Sequence, residues 1–79
     1  MSIRELDTIV LERDLPEHGL RKGDLGGVVQ VYSPDSFEVE FVRASGNTHA
    51  LVRLSRTDIR LVADSDVPAV RPASRRGAA

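Results

Sequence analysis

The 79-residue sequence contains no cysteine, which removes several ways of stabilising or activating a small protein. Without cysteine there is no disulfide, no thiolate zinc site and no catalytic thiolate. Below about 70–80 residues a core rarely supplies more than about 3–5 kcal/mol of stability, so an unstapled small domain depends on good packing or on association. The missing cysteines therefore favour a protein that associates with another chain.

The sequence also lacks a large excess of charge of either sign and any long apolar run. Eleven basic and twelve acidic residues give a net charge of −1, without the basic excess of a nucleic-acid-binding or membrane-surface protein. No stretch approaches the roughly 18–20 apolar residues of a membrane helix, and Met1–Asp7 lacks the apolar run of a signal peptide. We therefore expect a cytoplasmic protein that does not associate with membranes and whose partner is not nucleic acid.

Patterns of short β-strands dominate the rest of the sequence. In the segment 36–42, Phe37, Val39 and Phe41 alternate with Glu38 and Glu40, which predicts a strand with one buried face. Four further apolar or β-branched runs also predict strands: Thr8–Leu11, Val28–Tyr32, His49–Leu54 and Ile59–Val62. Five short strands and one long early loop predict an all-β fold, a small five-stranded barrel.

The breaks between these strands have the composition of turns. Gly46 and Asn47 favour a tight turn, Pro34 ends the second strand, and the segment 55–58 has the composition of a single helical turn. Gly26 and Gly27 are expected to turn the chain into the second strand, with Asp24 bonding neighbouring amides.

The barrel domain is expected to occupy residues 1–63, followed by a flexible tail over residues 64–79. The tail contains Pro68, Pro72 and no aromatic residue, so it has little to bury and is expected to be disordered. Arg75 and Arg76 are interpreted as a solubilising end, with contact to an acidic partner as the alternative.

Several motifs resemble those of a known family. They are Glu5–Leu11, Asp14–Leu20, Lys22–Val29 and Phe37–Phe41. Together they resemble the DUF4926 family of small bacterial proteins, from about Glu5 to Val62. The resemblance implies an SH3-like barrel and no reaction, cofactor or catalytic residue. A looser similarity, in the Asp-Leu-Pro loop and the Gly-Asp-x-Gly segment, is to the barrels of nitrile hydratase β subunits and their accessory proteins, and it bears on fold more than on function.

No residue pattern indicates catalysis or metal binding. No serine lies in a Gly-x-Ser-x-Gly motif. His18 lies near Asp14 and Glu17, but no second nitrogen ligand is close in sequence, which favours a solvated polar loop over a metal site. Glu38 and Glu40 are interpreted as an exposed strand face that pairs across the sheet with arginine. We therefore expect no enzyme activity, no catalytic residue, no metal and no cofactor.

The favoured function is a non-catalytic protein-binding module, such as the antitoxin-like or accessory subunit of a two-protein bacterial system. Its binding groove is predicted between the long early loop and the Ser33–Ser36 turn. For the two leucines of that loop, filling the end of the barrel is an equally good interpretation. The predicted partner-binding residues are Asp14, Leu15, Glu17, His18, Leu20 and Tyr32.

Three alternatives remain open. A strand edge could pair with a second copy of the chain to form a homo-oligomer. The segment from His18 to Val31 resembles KOW-type barrels, in which Arg21 and Lys22 would contact phosphate and Tyr32 would stack on a base of RNA. The surrounding acidic side chains argue against this RNA- or polymerase-associated function. A nitrile-hydratase-accessory-like factor is the third alternative.

Overall fold

The alternating segment at the centre of the sequence forms strand β3 (Ser36–Val42), and its buried side chains organise the core. Phe37, Val39 and Phe41 are each 2% exposed or less. The computed structural model describes residues 2–73. The other strands are β1 (Thr8–Leu11), β2 (Leu25–Ser33), β4 (Thr48–Ser55) and β5 (Ile59–Leu61). The order β4-β3-β2-β1-β5 makes one antiparallel sheet, which confirms the all-β, five-stranded prediction.

The core is entirely apolar among the described residues. On β4 the inward side chains are Ala50, Val52 and Leu54, as predicted from their alternation. The buried cluster comprises Ile9, Leu11, Leu15, Leu20, Val28, Phe37, Val39, Phe41, Val52, Leu54 and Ile59. Burial of these side chains supplies the main favourable free energy of folding.

The long loop between β1 and β2 is held to the core by its two leucines. Leu15 and Leu20 are 2% and 5% exposed, and their backbones exchange hydrogen bonds of 3.0 and 3.1 Å. Between them Pro16–His18 forms a 3-10 turn, which ends at Gly19 in the left-handed conformation with φ 67°. Leu15 and Leu20 both belong to the buried core, which is what the filling interpretation describes.

Strand β2 begins earlier than predicted, and its glycines have a different role. Gly26 and Gly27 do not turn the chain into the strand; they lie inside β2, opposite Ile9 and Thr8 of β1. A Cβ at Gly26 would lie 2.6 Å from Cγ1 of Val39. The prediction of a turn is therefore wrong, because Gly26 is needed for close packing against the side chains of β3.

The remaining turns agree with the sequence pattern. Arg56–Asp58 forms a 3-10 turn with a capping box, in which Ser55 and Asp58 bond each other's backbone amides. Gly46 has φ 95° in the turn between β3 and β4. Residues 62–73 contain no helix or strand, and Arg75 and Arg76 lie outside the described residues. No helix within residues 2–73 is long and apolar enough to cross a membrane.

Candidate functional site

The strand register brings three polar side chains together on the outer face of the sheet. Glu38 of β3 lies opposite Arg53 of β4. The Tyr32 hydroxyl donates a 3.0 Å hydrogen bond to Oε1 of Glu38, and the Arg53 guanidinium carbon lies 4.2 Å from the centre of the Tyr32 ring. Nε of Arg53 donates a 3.0 Å hydrogen bond to Oγ of Ser36. Tyr32 and Arg53 are therefore fixed in orientation by their neighbours, in a cation–π pair.

The terminal nitrogens of Arg53 are the hydrogen-bond donors on this face that another molecule can use. The hydrogen bond to the Glu38 carboxylate, followed by desolvation, raises the pKa of Tyr32 above its ordinary value. Arg53 uses Nε for Ser36, and no hydrogen bond within residues 2–73 involves its two terminal nitrogens. Because an arginine fork binds a carboxylate well, these nitrogens can donate hydrogen bonds to an acidic group of another molecule.

An exposed apolar side chain and a strand edge lie beside this pair. Leu51 of β4 is 55% exposed and lies opposite Glu40, whose carboxylate accepts a hydrogen bond from the Thr48 hydroxyl. Strand β4 pairs only with β3, so its other edge has no neighbouring strand within residues 2–73. We call the outward residues Tyr32, Glu38, Glu40, Leu51 and Arg53, with this free edge, the β4 face.

At the other end of β4, His49 joins the strand to the long loop. Its Nε2 lies 2.8 Å from the carbonyl oxygen of His18, and Nε of Arg43 donates a 3.3 Å hydrogen bond to its Nδ1. Since Nδ1 accepts, Nε2 carries the proton and donates to His18. His49 is half-buried and fixes the 3-10 turn against β4.

An ion pair joins the same loop to the segment after β5. Nε of Arg71 donates a 3.1 Å hydrogen bond to Oδ1 of Asp24, and its Nη2 donates to Oδ2. The same Nη2 donates a 3.2 Å hydrogen bond to the carbonyl oxygen of Gly19. Asp24 also accepts a 2.8 Å hydrogen bond from the backbone amide of Arg21, which confirms its predicted role in bonding a neighbouring amide.

Within residues 2–73 no hydrogen bond joins Tyr32 to the predicted partner-binding residues of the long loop. Tyr32 lies on the β4 face, in contact with Glu38 and Arg53. Glu17 and His18 are exposed on the 3-10 turn, and the His18 carbonyl oxygen lies 2.8 Å from Nε2 of His49 on β4. Asp14 is exposed and accepts a 2.8 Å hydrogen bond from the backbone amide of Lys22. The exposed members of the set thus lie on two elements, the long loop and strand β2.

Two important residues were not among the predicted site residues. Leu51 shares an alternation pattern with the inward residues of β4, and its exposure could have been inferred from that alternation. Arg71 lies 47 residues from Asp24 in sequence, and nothing local indicates their contact. Within residues 2–73 no group of three or more His, Asp or Glu side chains is placed to hold a metal ion.

Comparison with known families assigns the strand-forming part of the chain. Residues 5–61 match the family described as Domain of unknown function (DUF4926). The chain belongs to the DUF4926 family. The match covers all five strands, both 3-10 turns, the β4 face and Asp24, and it ends before Arg71. Neither the curated proteins nor the solved structures gave a match.

Proposed function

We propose that this DUF4926 protein is a non-catalytic protein-binding module whose partner docks on the β4 face. The observation that carries the proposal is the combination of a free strand edge with the fixed Tyr32–Arg53 pair and the exposed Leu51 beside it. An exposed edge can take an additional strand through main-chain hydrogen bonds, while side chains on the adjoining face supply specificity.

The side chains of the β4 face define the chemistry of the expected partner segment. Leu51 is 55% exposed, so an apolar side chain of the partner is expected to pack against it. The terminal nitrogens of Arg53 are suited to pair with a carboxylate of the partner. Tyrosine and arginine are the residue types that most often dominate binding energy at interfaces, and here they are ordered before binding. The expected partner is therefore a protein that presents an extended segment with apolar and acidic residues.

A two-protein bacterial system, in which this chain is the antitoxin-like or accessory subunit, is the setting that this proposal fits. The KOW-like alternative has weaker support, because Arg53 already covers the Tyr32 ring and the Glu38 carboxylate lies beside it. An acidic group at a base-stacking position would repel the phosphates of RNA. A second copy of the chain, pairing edge to edge along β4, is the competing occupant of the same surface.

Capture of the tagged protein from an extract of the cells that produce it tests the proposal. Wild type is expected to retain one stoichiometric protein, and Leu51→Asp is expected to lose it. Val67→Asp is the matched control, since Val67 is 89% exposed and lies outside the sheet. The partner should also survive nuclease treatment.

Other outcomes of the capture would contradict the proposal. RNA-dependent capture would support the KOW-like module instead. Recovery of only the chain itself, with a melting temperature that rises with protein concentration, would identify a homo-oligomer. A partner that Leu51→Asp retains and Glu17→Lys loses would place binding on the long loop.

A further inference from the structure

The carboxylate of Asp24 and the carbonyl of Gly19 form a seat for a guanidinium group. The Arg71 side chain donates three hydrogen bonds there, two to the carboxylate in fork geometry and one of 3.2 Å to the Gly19 carbonyl oxygen. The ion pair is largely shielded, with Arg71 and Asp24 side chains 27% and 20% exposed. Paired hydrogen bonds of this kind discriminate arginine from lysine, whose ammonium cannot span both oxygens in the same plane.

Residues of the sheet and loop hold the seat in place without help from Arg71. The backbone of Asp24 is fixed on both sides, by a 3.0 Å hydrogen bond from its amide to Arg21 and a 2.8 Å bond from the Leu11 amide to its carbonyl. Gly19 is fixed by a 3.1 Å hydrogen bond from its amide to Pro16. The acceptors are therefore preorganised, which lowers the cost of binding a ligand.

The segment that carries Arg71 has few other attachments. Val67 and Val70 are 89% and 99% exposed, and no backbone–backbone hydrogen bond of residues 67–73 to the rest of the described chain is present. Pro68 and Pro72 bracket Arg71 in an irregular stretch without helix or strand. A cavity of about 420 Å³ opens between this segment and the β3–β4 turn. Displacing the segment would therefore cost mainly the three hydrogen bonds of Arg71.

We propose that the Asp24–Gly19 seat is an arginine-binding site for an extended, arginine-bearing segment of a partner protein, and that Arg71 of the chain itself occupies it as an internal competitor. Both residues of the seat lie on the long loop, apart from the β4 face, so the proposal goes beyond the proposed function and does not depend on it. A tethered occupant acts at an effective concentration in the millimolar range, so an external ligand must compete with it.

A synthetic peptide with the chain's own sequence from Val67 to Ala73 is the probe, titrated into the protein and followed by the backbone amide signals of residues 19–25. Arg71→Ala protein is expected to bind this peptide at least about tenfold more tightly than wild type does, because the tethered competitor is gone. A peptide with citrulline in place of arginine should bind at least about tenfold more weakly, since it lacks the charge. The double variant Arg71→Ala, Asp24→Asn should bind neither peptide, whereas Arg71→Ala, Asp64→Asn, with the same change at an exposed carboxylate, should behave as Arg71→Ala.

The result that overturns the proposal is folded Arg71→Ala protein that shows no difference between the arginine and citrulline peptides. Arg71 would then be only an intrachain clamp. If Arg71→Ala does not fold, Arg71→Lys keeps one charged contact and serves in the same titration, with tighter binding than wild type again expected. Equal binding by wild type and Arg71→Lys would contradict the proposal. Because Leu51 variants are not used, these outcomes are independent of the β4 face.

Discussion

The guanidinium carbon of Arg53 lies 4.2 Å from the centre of the Tyr32 ring, so a cation from β4 is stacked on an aromatic residue from β2 across the intervening β3. The Glu38 carboxylate of β3 accepts a hydrogen bond from the Tyr32 hydroxyl and so fixes the ring on which Arg53 is stacked. Three neighbouring strands thus each contribute one side chain to the Tyr32–Glu38–Arg53 group. Without the register of β3 between its two neighbours, this group would not exist.

The first prediction concerns the ionisation of Tyr32. The hydrogen bond to Glu38 raises the pKa of Tyr32, so Glu38→Gln, which removes the negative charge, should lower that pKa toward its ordinary value. The chain contains one tyrosine and no tryptophan, so near-ultraviolet absorbance during alkaline titration reports this residue alone. Glu40→Gln is the matched control on the same strand face and should leave the titration unchanged. An unshifted titration in Glu38→Gln would show that the hydrogen bond does not persist in solution.

The second prediction separates core leucines from the surface leucine. Leu15→Ala should lower the free energy of unfolding by about 2–5 kcal/mol, because it leaves a cavity in a site that is 2% exposed. Leu51→Ala should change it by no more than about 0.5 kcal/mol, since Leu51 is 55% exposed. Urea unfolding measures both values. If both variants lose similarly little free energy of unfolding, Leu15 is not a core residue and is again a candidate for partner contact.

The third prediction compares two adjacent glycines of β2. Gly26→Ala should destabilise the protein by about 1–3 kcal/mol, because the new Cβ would lie 2.6 Å from Cγ1 of Val39 and 2.9 Å from Cε1 of Phe41. At Gly27 no atom lies within 4 Å of the corresponding position. Gly27→Ala should therefore be neutral, or stabilising by up to about 1 kcal/mol through reduced backbone entropy of the unfolded chain. A stability for Gly26→Ala equal to that of Gly27→Ala would contradict the packing of β2 on β3.

These two glycines show why the sequence alone predicts the strands better than it predicts the contacts between residues of different strands. The alternation around Phe37 and Val39 locates β3 because it reports burial residue by residue. A pair of glycines indicates either a turn or a close approach, and only the identity of the packed neighbour decides between them. In the same way, an apolar residue such as Leu15 in a loop is compatible with both core and interface.

The candidate site was harder to predict than the fold for a related reason. Tyr32 and Arg53 lie on strands that do not pair with each other, so their contact follows from the registers of both pairs flanking β3. The composition of the segment around Arg71 predicts the absence of helix and strand, yet gives no indication of which carboxylate Arg71 will meet. Contacts of this kind depend on the assembled sheet.

The fourth prediction concerns acid stability. The hydrogen bond from Arg60, followed by one from the backbone amide of Ala63, lowers the pKa of Asp66 from its ordinary value of 3.8 to about 2. Since the folded form binds the proton less readily than the unfolded form, the stabilisation is present above the ordinary pKa. It is lost as the pH falls from 3.8 toward about 2. The urea midpoint measured against pH should fall less steeply over this window in Asp66→Asn than in wild type. The matched control Asp64→Asn, at an exposed carboxylate nearby, should follow wild type, and an identical slope in Asp66→Asn would contradict the Arg60–Asp66 pair.

Hydrogen exchange of the backbone amides, measured on the free protein and on its complex with the captured partner, tests the central claim most directly. Addition of a strand to the free edge should slow exchange at β4 amides, while the amides of β5, the strand at the opposite edge, keep their free rates. That pattern would place the partner on the β4 face. Protection confined to residues 13–22 of the long loop, with β4 unchanged, would contradict it.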